Sequence, residues 1–145
     1  MNKTELIQDT DLIRVMSDDG VGKVDLKKYE NLNTTQLGEI KKEMGDAPWA
    51  VRIIYNERFA GVLICQNPGE GNRLHYHPDA DECWVIMEGE WEWFIDGAGV
   101  KKVKKDDIVL VPRNTKHQIK CVGEKPGIRF AITKPDLNHI YAKEK

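Results

Sequence analysis

From Trp49 to Thr133 the chain is a train of nine short apolar-rich runs, each four to seven residues long and each closed by turn residues. The runs are Trp49–Tyr55, Gly61–Gln66, Arg73–His77, Glu82–Met87, Trp91–Ile95, Val100–Val103, Ile108–Val111, His117–Val122 and Ile128–Thr133. Such runs are too short for helices of ordinary length and have the length and residue types of strands. The links between them are also too short to carry parallel crossovers, so neighbouring strands must run antiparallel. Asp96-Gly97 is the favoured chemistry of a type I′ hairpin and should pair Trp91–Ile95 with Val100–Val103. The expectation is an all-β fold, an antiparallel sandwich or barrel over residues 49–134.

The flanks read differently. Residues 1–48 form a polar N-terminal arm with one short helix. Thr34 or Thr35 is its candidate N-cap, Leu37, Ile40 and Met44 fall at helical spacing, and Gly45 stops it. A short strand within Val15–Leu26 would be broken by Asp18-Asp19-Gly20. Residues 135–145 read as a polar C-terminal tail that packs outside the barrel or frays, with His139 in solvent. A formal net charge of −2 offers no field for nucleic acid or anionic lipid. The lysines of 101–105 are followed at once by Asp106 and Asp107, as on a solvated strand edge. No run is long enough to span a membrane, and Met1–Glu5 lacks the apolar stretch of a leader, so the expected location is cytoplasmic. Three cysteines, an odd number, argue for small buried thiols rather than disulfides.

The chemistry concentrates in residues 69–89. His75 and His77 are two apart, so on a strand both imidazoles project to one face. Glu82 opens the next strand beside them after the turn 78–81. Two imidazoles and a carboxylate converging in this way form a facial set that suits Fe(II) and also Zn, Mn, Ni or Co. His117 opens a later strand just after the turn 112–116, and in an antiparallel barrel it can return beside the first pair as a fourth ligand. Arg73 shares the histidine face, either as an anion anchor or as an arginine reaching water at the barrel mouth. Trp84 shares the parity of Glu82 and can wall a pocket or simply fill the core. Trp91 and Trp93 share one face, as core or as a dimer contact.

The spacing Gly69, His75, His77, Glu82, Gly89 resembles the first motif of the cupin superfamily at every fixed position. Pro112 and His117 are similar to its second motif, whereas Asp106, Asn114 and Cys121 replace two glycines and an asparagine. Asn114 tolerates the left-handed turn that glycine would supply. The resemblance implies a double-stranded β-helix, or jelly-roll, barrel that holds one divalent transition metal ion through His75, His77, Glu82 and His117. Iron is the first expectation, with Mn, Ni or Zn as alternatives. It also implies a homodimer and a small-molecule substrate that is rich in oxygen and chelates the metal. Because the fold hosts many chemistries, function must be argued from the site. The leading expectation is an Fe(II)-dependent dioxygenase in which Glu82 is both ligand and catalytic base, with Arg73 and Trp84 contacting substrate. The rivals are a redox-neutral isomerase, lyase or cyclase, and a non-catalytic metal-containing binding protein.

Overall fold

The computed structural model describes residues 6–142; residues 1–5 and 143–145 lie outside the described part. The elements, in order, are β1 (Leu6–Asp9), α1 (Leu12–Asp18), β2 (Val24–Asp25), α2 (Leu37–Met44), β3 (Trp49–Tyr55), β4 (Ala60–Gln66), β5 (His75–Tyr76), β6 (Glu82–Glu88), β7 (Glu90–Ile95), β8 (Gly99–Lys104), β9 (Ile108–Val111), β10 (His117–Val122), β11 (Gly127–Thr133) and β12 (His139–Ala142). They form two six-stranded sheets, in the orders β1-β12-β5-β10-β7-β8 and β2-β3-β4-β11-β6-β9. Every pairing is antiparallel except β2 with β3, where residues 26–48 and their helix supply the long connection that a parallel pair needs. No helix among the described residues is long and apolar enough to cross a membrane.

The two sheets pack face to face. Glu82, Trp84 and Ile86 of β6 are buried at every second position, as are His117, Ile119 and Cys121 of β10 and Trp91, Trp93 and Ile95 of β7. This period-2 burial puts three tryptophans in one core with Val62, Ile64 and Ala131. Trp91 and Trp93 are therefore core residues. β4 is buried along its whole length because α2 covers its other face, where Ile40 and Met44 pack on Trp49, Val51, Leu63 and Cys65. The lysine run lies on β8, an exposed edge strand.

Turn chemistry fixes the ends of the site-bearing strands. Gly89 takes φ +83°, and a Cβ there would stand 2.6 Å from the Gly127 Cα, so both backbone conformation and space require glycine. Asp106 and Asn114, which stand where the cupin motif has glycine, adopt φ 79° and 60°. Both residue types tolerate the left-handed region, so the turns survive without glycine.

Four expectations about the flanks need correction. The described residues hold two helices, not one: α1 is capped by Asp11, whose side chain accepts from the backbone N–H groups of Ile13 and Arg14. Val15 lies in that helix, and only Val24–Asp25 of the anticipated strand is extended. The N-cap of α2 is Gln36, which accepts from the Glu39 N–H, rather than Thr34 or Thr35. Finally, His139–Ala142 is not loose tail but a strand hydrogen-bonded between β1 and β5.

Candidate metal centre

Strand register brings the ligand candidates together. His117 of β10 sits directly opposite His75 of β5 in one sheet. Glu82 begins β6 of the other sheet, opposite Val111. The Asn114 N–H donates to the His77 carbonyl at 2.8 Å, tying the turn before β10 to the end of the His-x-His segment. All four side chains are buried.

The orientation of the imidazoles is the most informative feature. His75, His77 and His117 each direct Nδ1 at a backbone carbonyl, those of Arg73 (2.6 Å), Asn138 (2.9 Å) and Thr115 (2.9 Å). A carbonyl can only accept, so each Nδ1 carries a proton, and in the neutral form of each ring Nε2 is the bare lone pair. His77 Nε2 and His117 Nε2 are fully buried and have no hydrogen-bond partner among the described residues. They stand 3.4 and 3.3 Å from Glu82 Oε1, close enough for an ion pair but not angled as hydrogen bonds. Buried polar atoms are rarely left unsatisfied, and a carbonyl-anchored imidazole with its other nitrogen free is the usual presentation of a metal ligand.

The three ligand atoms of His77, Glu82 and His117 lie within 4.8 Å of one another. With the two shorter spacings above, a point equidistant from all three is at most about 2.4 Å from each, against about 2.0–2.2 Å for zinc–nitrogen and zinc–oxygen bonds. A divalent ion therefore fits with a shift of a few tenths of an ångström. His75 stands beside this triad, its ring centroid 4.8 Å from His77 and 4.3 Å from His117. Its ligand atom groups with those of His77 and His139 in a second triad, whose atoms also lie within 4.8 Å of one another.

His139 is thus part of the cluster and not solvated tail. Its Nδ1 donates to the Leu137 carbonyl two residues back, as His75 and His117 do to theirs, and its ring lies 5.0 Å from His75 and 4.7 Å from His77. The signal was available in the alternation of Leu137, His139 and Tyr141, which repeats the two-residue step of His75 and His77.

Charge is distributed unevenly over these groups. Burial works to raise the Glu82 carboxyl, but His117 and His77 beside it outweigh burial and hold it well below the usual carboxylate range. Burial works to lower His77, and the Glu82 carboxylate more than offsets it, so His77 is raised. Burial, then the nearby His117, holds His75 far below the imidazole range, and burial with His77 brings His139 down to about 4. The cluster is one carboxylate facing a group of imidazoles, two of which, His75 and His139, resist protonation, an arrangement suited to a metal cation.

The cluster opens on a cavity of about 380 Å³, with His75, Glu82, Trp84 and His139 on its wall. Val62, Ile64 and Ala131 supply apolar lining, and Leu12, Val15 and Met16 of α1 cover it. Trp84 Nε1 donates to Glu82 Oε1 at 2.8 Å, so Trp84 orients the carboxylate as well as walling the cavity. Arg73 is otherwise engaged: Nε donates to Asp19 at 3.0 Å, and its guanidinium lies 3.8 Å over the Tyr141 ring. Two other arginines reach the cavity wall: Arg52 of β3, paired with Glu30 at 2.9 Å, and Arg129 of β11, which sequence reasoning does not single out. Arg129 is 1% exposed and lies 4.7 Å over Trp84.

Comparison with known proteins agrees with this architecture. Residues 62–133 match the family model described as Cupin domain. A tetracenomycin polyketide synthase protein, TcmJ, of Streptomyces glaucescens is 31% identical over 78 residues, 50% of this chain and 52% of its own length. The polyketide synthase CurC of Streptomyces cyaneus is 31% identical over 87 residues, 57% of this chain and 55% of its own. The chain thus spans about half the length of these curated relatives. An uncharacterized conserved protein with a double-stranded β-helix domain from Klebsiella pneumoniae superposes with a TM-score of 0.65 at 20% identity, covering 79% of this chain and 94% of that one. A Bacillus halodurans protein superposes with 0.62 at 18% identity, covering 74% and 86%.

Proposed function

The chain belongs to the cupin superfamily, and on that footing we propose that it is a metal-dependent enzyme that binds a small oxygen-rich metabolite as a chelate. The observation that carries this is the pair of buried, partnerless Nε2 atoms of His77 and His117, gathered with Glu82 beside a 380 Å³ cavity. His75, His77, Glu82 and His117 are the residues that would hold the ion. A divalent ion there supplies Lewis acidity to a carbonyl or hydroxyl oxygen and, as Fe(II), access to dioxygen chemistry.

The chain's own residues do the rest. The carbonyl-anchored rings keep their lone pairs inward, so little reordering accompanies binding. The carboxylate of Glu82 lies on the cavity wall, where it can take a proton from a substrate hydroxyl or carbon. Val62, Ile64, Ala131 and the α1 residues give the bound face an apolar wall, which strengthens electrostatic contacts against it.

Within this reading, dioxygenation with Fe(II) comes first, since nitrogen and carboxylate donors together suit that ion. A redox-neutral isomerisation, cyclisation or elimination is the second, favoured by the two polyketide-synthase relatives. Poly-β-keto chains are themselves chelators whose enolates a Lewis acid stabilises. The test is oxygen uptake and product analysis with Fe(II)-, Mn(II)-, Zn(II)- and Ni(II)-loaded protein against enediols, catechols, thiols and 1,3-diketones. Uptake with Fe(II) alone supports the first reading, and product without uptake supports the second. A compound that raises the melting temperature yet is recovered unchanged from every metal form refutes catalysis.

A further inference from the structure

We propose that the cavity takes an anion, a substrate bearing a carboxylate that pairs with Arg129 while its oxygen-rich end faces Glu82 and His75. This deepens the metal-centre reading and rests on it only for the second end of the substrate.

The argument begins from an isolated charge. Arg129 is buried, yet among the described residues it makes no ion pair. Its Nε and Nη2 both donate to Gln66 Oε1, at 3.3 and 2.9 Å, and Gln66 is itself buried and anchored on the Gly71 carbonyl at 2.9 Å. These contacts hold the guanidinium by one edge, and among the described residues Nη1 has no acceptor. The planes of Trp84 and Trp91, 4.7 and 5.3 Å away, give it cation–π contact but no countercharge.

An arginine stays charged even here: burial brings it down only to about 10. A buried cation without a partner is costly, and folds retain one mainly where something completes it. The two carboxylates whose charge bears on it are committed elsewhere, Asp19 to Arg73 and Glu82 to Trp84 and the histidines. What completes Arg129 must enter through the cavity it lines. A carboxylate fits because the free Nη1–Nη2 edge offers two parallel donors, the geometry that planar oxyanions accept. Arg129 and Glu82 both contact the Trp84 indole, one at its face and the other at Nε1, so one small ligand can touch both. The apolar walls suit an aromatic or aliphatic body between two polar ends.

The test is calorimetric titration of wild type and R129M with benzoate and with benzamide, its neutral isostere. Both metal-free and zinc-loaded protein are titrated at pH 8, above the ordinary imidazole range. In metal-free wild type, benzoate should bind at least tenfold tighter than benzamide. R129M should lose that preference, and R129K should keep part of it. Equal affinities in wild type, or an undiminished preference in R129M, overturn the proposal. Should R129M not fold, the wild-type ratio and R129K decide the same question. If wild type takes up no zinc but retains the benzoate preference, the metal reading fails and the anion site stands. If zinc is bound and the preference is absent, the reverse holds.

Discussion

Replacing Trp84 with Phe removes the one N–H that reaches Glu82, together with part of the indole's volume. The phenyl ring keeps the face on which Arg129 lies and the edge contact with Trp93 at 5.4 Å. What disappears is the 2.8 Å bond from Nε1 to Glu82 Oε1. A buried hydrogen bond to a carboxylate is worth about 1.5–3 kcal/mol. Because the bond exists before the metal arrives, its loss is felt as freedom that Glu82 must surrender on binding. At 1.4 kcal/mol per tenfold, the metal dissociation constant should rise roughly 10–100-fold, the range typical of partners that orient a ligand. The vacated volume should cost on the order of 1 kcal/mol of stability in the metal-free protein as well. Zinc dissociation constants from competition with a chromophoric chelator, and melting of the metal-free form, separate the two effects. A zinc affinity within twofold of wild type, alongside the expected drop in melting temperature, would refute the claim that Trp84 orients the carboxylate.

Four further outcomes rest on the same geometry. H75A and H117A should each remain folded but lose bound metal, as elemental analysis after dialysis will show; full occupancy in either contradicts its assignment. G89A should lose about 2–4 kcal/mol in denaturant unfolding, because it combines φ +83° with a 2.6 Å approach to Gly127. R73A should cost about 1–2 kcal/mol, since it strips the partner from Asp19, whose side chain is only 2% exposed, while Arg73 itself is 39% exposed and screened. The metal-free protein should weaken as pH falls from about 7 towards 4. His75 and His139 are held low and refuse protons that the unfolded chain accepts near 6.5, each contributing up to about 1.4 kcal/mol per pH unit. His77 is raised, so it acts in the opposite sense, adding stability below about 6.5 that is lost as pH rises through its folded value, and it moderates the slope. Denaturant unfolding at pH 5 and 7 should show the loss, and H139N should reduce it.

Strands whose pairing is local and whose ends carry turn residues were legible residue by residue. Trp49–Tyr55, Ile108–Val111 and His117–Val122 have the bounds that alternation and punctuation predict. β5 is shorter than the run Arg73–His77 because Arg73 turns away to Asp19 and Tyr141 instead of joining the ladder. α1 escaped sequence reasoning because seven residues with two acidic neighbours carry little intrinsic signal, and its stability comes from burying Val15 and Met16 over the cavity. β1 and β12 pair across almost the whole chain, a contact no local period reports. In the site, the His-x-His and Glu82 spacing was plain, whereas the alternation of Leu137, His139 and Tyr141 was masked by the polar segment around it, Pro135-Asp136 before and Lys143–Lys145 after. Arg129 had a signal of its own, a lone charge inside the apolar run Ile128–Ile132, since a cation on an inward strand face is seldom accidental.

X-ray absorption at the metal edge of stoichiometrically loaded protein tests the central claim most directly. One ion per chain, with nitrogen and oxygen neighbours at about 2.0–2.2 Å and the outer-shell scattering of imidazole, is the expected result. Failure to retain a stoichiometric ion after dialysis, or sulfur scattering near about 2.3 Å from a cysteine ligand, would contradict it.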